Sequence, residues 1–361
     1  VSTMLFQSRV TSCFIFSDQT PLVYILNPKS GCSTVLGYMW QVVDNLRDTQ
    51  TFSGDPHGAG PWQRIADMPA ESVDAVVARS TFSIVRNPFA RALSGYLSKI
   101  GERSQQDLFV WRQFQDRFGL PDNAVPTFDE YLEMIEREPV EMMDPHWSPQ
   151  YFNLLQPVAR IDHLFYLENM LPAVEYLQQH LSGRMMRSNI GFRDARTRLD
   201  HFYTQSAIDR VSHIYAMDFE MLGYSQDITL QRAVKPIASL EGRPEGLSPM
   251  LKHMATKDWQ EKLAHLDHFE RLNGVDAATA MARFCCGGEE QSRMRAAESV
   301  LLSSPKNWLV LREIAAMFTA HGQHEKAARF AAAAESVHQA IRWRKHEMAS
   351  SGDPGPAIDS P

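Results

Sequence analysis

The hydrophobic pattern switches twice from a short apolar run to a helical period. Residues 21–26, Pro-Leu-Val-Tyr-Ile-Leu, are apolar and partly β-branched and stop at Asn27-Pro28, which predicts a buried strand entering a turn. From Thr34 the apolar residues Val35, Tyr38, Met39 and Val42 recur at three and four residues, so a helix follows. Residues 80–85, Ser-Thr-Phe-Ser-Ile-Val, repeat the strand pattern and stop at Arg86-Asn-Pro88. Phe89, Leu93, Tyr96 and Leu97 then mark a second helix, and Pro88 suits its first turn because no amide partner is needed there. Helical periods return at 127–135, 170–181 and 207–217, whereas 164–167 is too short to assign to strand or helix. Residues 51–63, rich in Gly, Pro, Ser and Asp, read as a surface connection. This alternation predicts an α/β domain over residues 1–235.

Pro236, Gly242, Pro244, Gly246 and Pro249 then cluster, and residues 236–249 read as a linker. Beyond them the chain is alanine-rich and helical to about residue 347, with the last residues, 348–361, read as a disordered tail. Gly288 and Gly322, Phe284 and Phe318, and Ala297 and Ala331 each lie 34 residues apart. That spacing predicts an all-helical module of tetratricopeptide-like hairpins over 250–347, with an unrelated helical subdomain as the alternative. Arg293 stands where the second copy has Ala327, which weakens the first copy.

Composition narrows the classes. With 44% apolar residues in 361, the chain can fill a large core, and a net charge of −7 disfavours general attraction to nucleic acid or anionic membrane. The four cysteines, Cys13, Cys32, Cys285 and Cys286, are too few for a disulfide scaffold and fall at no metal-site spacing, so no metal is expected. Neither a run of about 18 apolar residues nor the order of a signal peptide occurs. The expectation is a cytoplasmic chain without an integral membrane segment, any contact with the inner face of the membrane being peripheral.

The candidate chemistry lies in the two strand-to-helix loops. Asn27-Pro-Lys-Ser-Gly-Cys-Ser-Thr34 sets one cation, one glycine and several hydroxyls just before a helix, a layout that can turn amides and a helix N-terminus toward an oxyanion while Lys29 adds charge. No Gly-Lys-Ser/Thr closes it, so the usual triphosphate loop is absent; a plain turn with an outward Lys29 is the simpler alternative. In the second loop Arg86 offers a planar fork for a phosphate, with Ser94 two turns into the helix; Arg91 reads as a surface residue. Two such loops suit a nucleotide phosphorylated at two places.

The second loop carries the more specific resemblance. Arg86-Asn-Pro-Phe-Ala-Arg-Ala-Leu-Ser-Gly-Tyr96 resembles the 3'-phosphate motif of sulfotransferases that use 3'-phosphoadenosine 5'-phosphosulfate, with Asn87 where the family has Asp, and Pro28-Lys-Ser-Gly-Cys-Ser-Thr34 is similar to their 5'-phosphosulfate loop. His146-Trp-Ser-Pro-Gln150, the stretch ending in Glu168, and 214–224 resemble later segments of the carbohydrate sulfotransferases. Those animal enzymes carry a cysteine pair where this chain has Asn153, Leu154 and Gln156, so their disulfide has no counterpart here, and the resemblance is read as that of a soluble bacterial member. The resemblance covers about residues 20–226.

It implies a P-loop-like, three-layer core with a mainly parallel central sheet, and transfer of a sulfonate from 3'-phosphoadenosine 5'-phosphosulfate to a carbohydrate or glycoconjugate hydroxyl, leaving adenosine 3',5'-bisphosphate, without a metal. Lys29 would stabilise the leaving group, with Ser30, Gly31, Cys32, Ser33 and Thr34 around the 5' end and Arg86 and Ser94 on the 3'-phosphate. His146 is the favoured proton acceptor, with Asp144 as an orienting partner and Glu168 as rival base or positioning group. Trp111, Phe114, Phe118, Trp147 and Tyr151 are candidates for stacking on sugar. The helical repeats could recruit a protein partner. Two other readings stay open: a nucleotide-dependent phosphotransferase, and a non-catalytic helical-repeat protein with a vestigial nucleotide site.

Overall fold

The structure, a computed structural model, describes residues 13–43, 57, 60, 62–63, 65–101, 108–121, 124–138, 140, 142–156, 159–181, 195–242, 244–256, 258–273 and 308–341. Its centre is a four-stranded sheet in the order β1 (Phe14–Ile15), β2 (Leu22–Ile25), β3 (Ser80–Val85), β4 (His163–Tyr166). β1 pairs antiparallel with β2, while β2, β3 and β4 are parallel, with Leu22 opposite Ser80 and Phe82 opposite His163. The ambiguous stretch near 164 is therefore a strand, paired along all of its length with β3.

Alternate residues of β2 enter two cores. Val23 and Ile25 pack with Val85 and with Phe89, Leu93 and Tyr96 of the second helix; Leu22 and Tyr24 pack with Val35, Leu36 and Met39 of the first. A sheet buried on both faces explains why its strands read as unbroken apolar runs. The helices are α1 (Cys32–Val43), α2 (Pro88–Tyr96), α3 (Leu108–Phe118), α4 (Phe128–Glu136), α5 (Leu171–Leu181) and α6 (Gln205–Ile214). The period read at 127–135 begins one residue later in the structure, because Thr127 caps α4: its hydroxyl accepts from Glu130 N, and the Glu130 carboxylate accepts from Thr127 N at 2.6 Å. The period read at 207–217 is broken at Tyr215, where a second short helix, Ala216–Met221, begins.

The first part of the stretch read as a linker runs beside β4. Ile161 and Leu240 exchange two backbone hydrogen bonds of 2.9 Å, and Leu164 N donates to Ala238 O at 2.7 Å. The next helix, α7 (Pro244–Ala255), places Leu251, Met254 and Ala255 in the same core as α2, and Lys252 pairs with Asp74 at 2.5 Å. α8 (Trp259–Asn273) packs on α7. Further on, α9 (Trp308–Ala320) and α10 (His324–Ile341) form an antiparallel hairpin around Leu311, Ile314, Phe318, Ala327, Phe330 and Ala334, with Trp308 stacked on His338 at 4.2 Å. The first expected repeat copy, including Cys285 and Cys286, and the tail 348–361 lie outside the described residues, and no repeat pattern is established by one hairpin. Among the described residues no helix is long and apolar enough to cross a membrane.

Candidate active site

Ligands of open α/β sheets sit beyond the carboxyl ends of parallel strands, and both candidate loops lie there. The loop after β2 turns sharply: Lys29 has φ 68° and Gly31 φ 81°. The left-handed conformation costs a side-chain-bearing residue about 1–2 kcal/mol, so Lys29 is held in place against its own preference. Gly31 has a second constraint, since a Cβ there would lie 2.9 Å from Leu167 Cδ1. The turn leads directly into α1, with Thr34 N and Val35 N donating to Gly31 O at 3.1 and 3.2 Å. Ahead of these two, the Cys32 and Ser33 amides open this 12-residue helix at the positive end of its dipole.

The loop after β3 is set differently. Asn87 caps α2, its side-chain oxygen accepting from Phe89 N at 2.9 Å and Ala90 N at 3.3 Å. The Glu168 carboxylate accepts from Asn87 N and from Tyr224 OH, each at 2.8 Å. Both oxygens of Glu168 are engaged in holding this loop and the segment around Tyr224. Arg86 is buried and donates through Nη1 to Lys29 O at 3.1 Å, so its guanidinium lies against the backbone of the first loop.

A fully buried polar cluster joins the loops. The Gln150 side-chain oxygen accepts from Asn27 Nδ2 at 2.8 Å and Arg86 N at 2.9 Å, and its nitrogen donates to Arg86 O at 2.8 Å. Asn27 Nδ2 also reaches Ser30 Oγ at 3.0 Å and Ile84 O at 3.2 Å. The Ser30 hydroxyl therefore points into this cluster, and the Ser30 amide donates to Asn27 O at 3.3 Å. Arg91 is corrected more strongly: it is 1% exposed, not a surface residue, and binds Pro28 O, Ser148 O and Pro145 O at 3.0, 2.8 and 2.9 Å. Its guanidinium spends its donors on carbonyls of both the first loop and the His146 turn.

That turn crosses close over α2. A Cβ on Gly95 would meet His146 O at 2.9 Å, so only glycine lets the two backbones approach. His146 Nδ1 lies 2.6 Å from Asp144 Oδ1, which also accepts from His146 N at 2.9 Å. The arrangement puts the proton on Nδ1 and leaves Nε2 basic. Burial lowers the imidazole pKa, and the charges of Lys99 and Lys29 lower it further against the pull of Asp144. Burial pushes Asp144 up, yet the adjacent imidazole and its hydrogen bonds bring the carboxyl down to about 2. Trp147, Trp111, Phe114 and Phe118 are core residues, Phe114 meeting the Trp147 ring edge-on at 5.5 Å, so of the aromatic candidates for sugar only Tyr151 is partly exposed.

His57 escaped the sequence reading. Its Nε2 lies 2.9 Å from Ser33 Oγ and 3.7 Å from Cys32 Sγ, at the start of α1. Burial raises the Cys32 thiol, but His57 and the charge of Lys29 bring it net below its ordinary value. His57 sits in a Gly- and Pro-rich stretch without periodicity, so only its chemistry type could have flagged it. Among the described residues no group of three or more His, Cys, Asp or Glu is placed to hold a metal.

The donor set, an ammonium, a guanidinium, the α1 amides and the Ser33 and Thr34 hydroxyls, is by its chemistry suited to anionic oxygens. Carbohydrate sulfotransferase 14 of Danio rerio is 25% identical to this chain over 228 residues, 58% of this chain and 61% of that protein. Carbohydrate sulfotransferase 14 of Homo sapiens is 25% identical over 233 residues, 58% of this chain and 59% of that protein. The chain thus spans about three fifths of the length of these relatives. No solved structure gives a significant match. The profile of the Sulfotransferase family matches residues 12–225, which include every strand and both loops, and the chain belongs to that family.

Proposed function

We propose that the chain transfers a sulfonate group from 3'-phosphoadenosine 5'-phosphosulfate to a hydroxyl of a carbohydrate or glycoconjugate. The observation that supports this reading is the contact between the loops: Arg86 Nη1 donates to the carbonyl of Lys29, so the loop after β2 meets the loop after β3. The first loop would take the 5'-phosphosulfate, and Arg86, together with Ser94 of α2, the 3'-phosphate. The acceptor oxygen attacks sulfur while the bond from sulfur to the bridging phosphate oxygen breaks. The electron pair stays on the departing adenosine 3',5'-bisphosphate, where Lys29 and the α1 amides stabilise it. The hydroxyl proton passes to His146 Nε2, whose lowered pKa keeps it neutral and receptive near pH 7. The name of the vertebrate relatives supports a sugar hydroxyl as acceptor.

His57 is the second reading for the base, favoured by its contact with Ser33 at the 5' end. Glu168 is the weaker rival, because both its oxygens already accept hydrogen bonds. Purified protein incubated with donor carrying labelled sulfate and a panel of sugar acceptors tests the activity; label must appear in an acceptor and not in water alone. Within that assay His146→Ala should lower kcat by about 10²–10⁴ while leaving adenosine 3',5'-bisphosphate affinity within a few-fold. Full turnover in His146→Ala together with collapse in His57→Ala would move the base to His57.

A further inference from the structure

We infer that Gln150 is a positioning residue that fixes the separation of the two phosphate-binding loops and so makes the site selective for a nucleotide phosphorylated at both the 3' and 5' positions; this rests on the donor-site reading above. Parallel strands β2 and β3 stop pairing before their loops begin, and the gap between Asn27 and Arg86 has no backbone ladder across it. The Gln150 side chain fills that gap. Its amide bonds both main-chain groups of Arg86, N–H at 2.9 Å and C=O at 2.8 Å, as a neighbouring strand would, and accepts from Asn27 at 2.8 Å. Among the uncharged side chains of this reach, glutamine carries a donor and an acceptor at one end. A carboxylate would keep the accepted bonds and lose the one to Arg86 O.

The side chain is itself fixed from behind. Asp218, fully buried in the helix Ala216–Met221, accepts from Gln150 N at 2.7 Å and Tyr151 N at 2.8 Å. Tyr215 OH donates to Trp147 O at 2.7 Å, and Arg91 holds Ser148 O and Pro28 O. With no exposed surface, Gln150 cannot touch the nucleotide. Any effect on binding must pass through the loop spacing. A rigid spacing benefits a ligand that uses both loops at once, and gives little to a ligand that uses one.

The test is calorimetric titration of the full chain with adenosine 3',5'-bisphosphate, adenosine 5'-phosphate and adenosine 3'-phosphate, alongside melting temperatures. Gln150→Met should weaken the bisphosphate by about 30-fold and each monophosphate by less than about 3-fold. Gln150→Glu, which keeps the accepting side, should fall between Gln150→Met and the parent chain, and it carries the same comparison should Gln150→Met melt below the working temperature. Equal losses for all three nucleotides, or none at all, would overturn the role assigned to Gln150 while leaving the donor site standing. A parent chain that binds none of the three would remove the donor-site reading, and the inference with it.

Discussion

The loops after β2 and β3 leave neighbouring parallel strands on the same side of the sheet, yet they are built by opposite means. The first holds Lys29 and Gly31 at positive φ, whereas none of residues 86–88 adopts such a conformation. The second is instead fully tied: Asn87 caps α2, Pro88 opens it, Glu168 receives the Asn87 amide and Gln150 pairs with Arg86. Strain gathers amides and hydroxyls around one small volume, which suits a group whose charge changes during reaction. Hydrogen bonding to every available atom aims one guanidinium, which suits a phosphate that only anchors. On the proposed reading, the first loop carries the chemistry and the second the recognition.

The largest expected effect breaks the first loop. Lys29→Ala should lower kcat by about 10³, near 4 kcal/mol of lost transition-state stabilisation, with product affinity changed by less than about tenfold; turnover within tenfold of the parent would put the leaving-group charge elsewhere. Next comes the tie between the first loop and the His146 turn. Arg91→Met would strand the carbonyls of Pro28, Ser148 and Pro145, and urea unfolding should show a loss of about 3 kcal/mol. A loss below 1 kcal/mol would mean that those carbonyls find other partners.

A smaller effect concerns pH. His146 must be neutral to accept a proton, and burial sets its pKa below the usual value near 6.5. Turnover should therefore hold through neutral pH and fall only as the pH drops through that lowered pKa. Asp144 raises the imidazole pKa, so Asp144→Asn should move the acidic limb to still lower pH and reduce kcat by roughly tenfold. An unmoved limb would favour His57, whose ring meets Ser33 and Cys32 at the start of α1. The smallest effect belongs to the second loop: Asn87→Ala should cost about 1 kcal/mol of stability through the lost cap, with kcat almost unchanged. A large fall in kcat would mean that this loop takes part in the chemistry.

What could be read from the chain was local. Val35, Tyr38 and Met39 announced α1, and the stop at Arg86-Asn-Pro88 placed a cation at a strand end, because each signal lies within a few residues. Arg91 was misread for the complementary reason. Its three carbonyl partners lie 54 to 63 residues away, and without them an arginine on a helix is ordinarily solvated. The roles of Gln150 and Asp218, though both fall in segments that carry the resemblance, were hidden for the same cause, since their partners come together only after the sheet, the His146 turn and the helix Ala216–Met221 have packed. The cluster 236–249 misled differently: its prolines and glycines suggested a linker, but hydrogen bonds to Ile161 and Leu164 and the burial of Leu240 hold its first part against the core.

The central claim is that one nucleotide spans both loops, and comparative titration of Arg86→Ala tests it most directly. The account predicts that this variant binds adenosine 3',5'-bisphosphate about 100-fold more weakly, as expected for loss of a buried charge-assisted contact, and adenosine 5'-phosphate only a few-fold more weakly through the loosened Lys29 carbonyl. Equal weakening toward both nucleotides, or undiminished affinity for the bisphosphate, would contradict it.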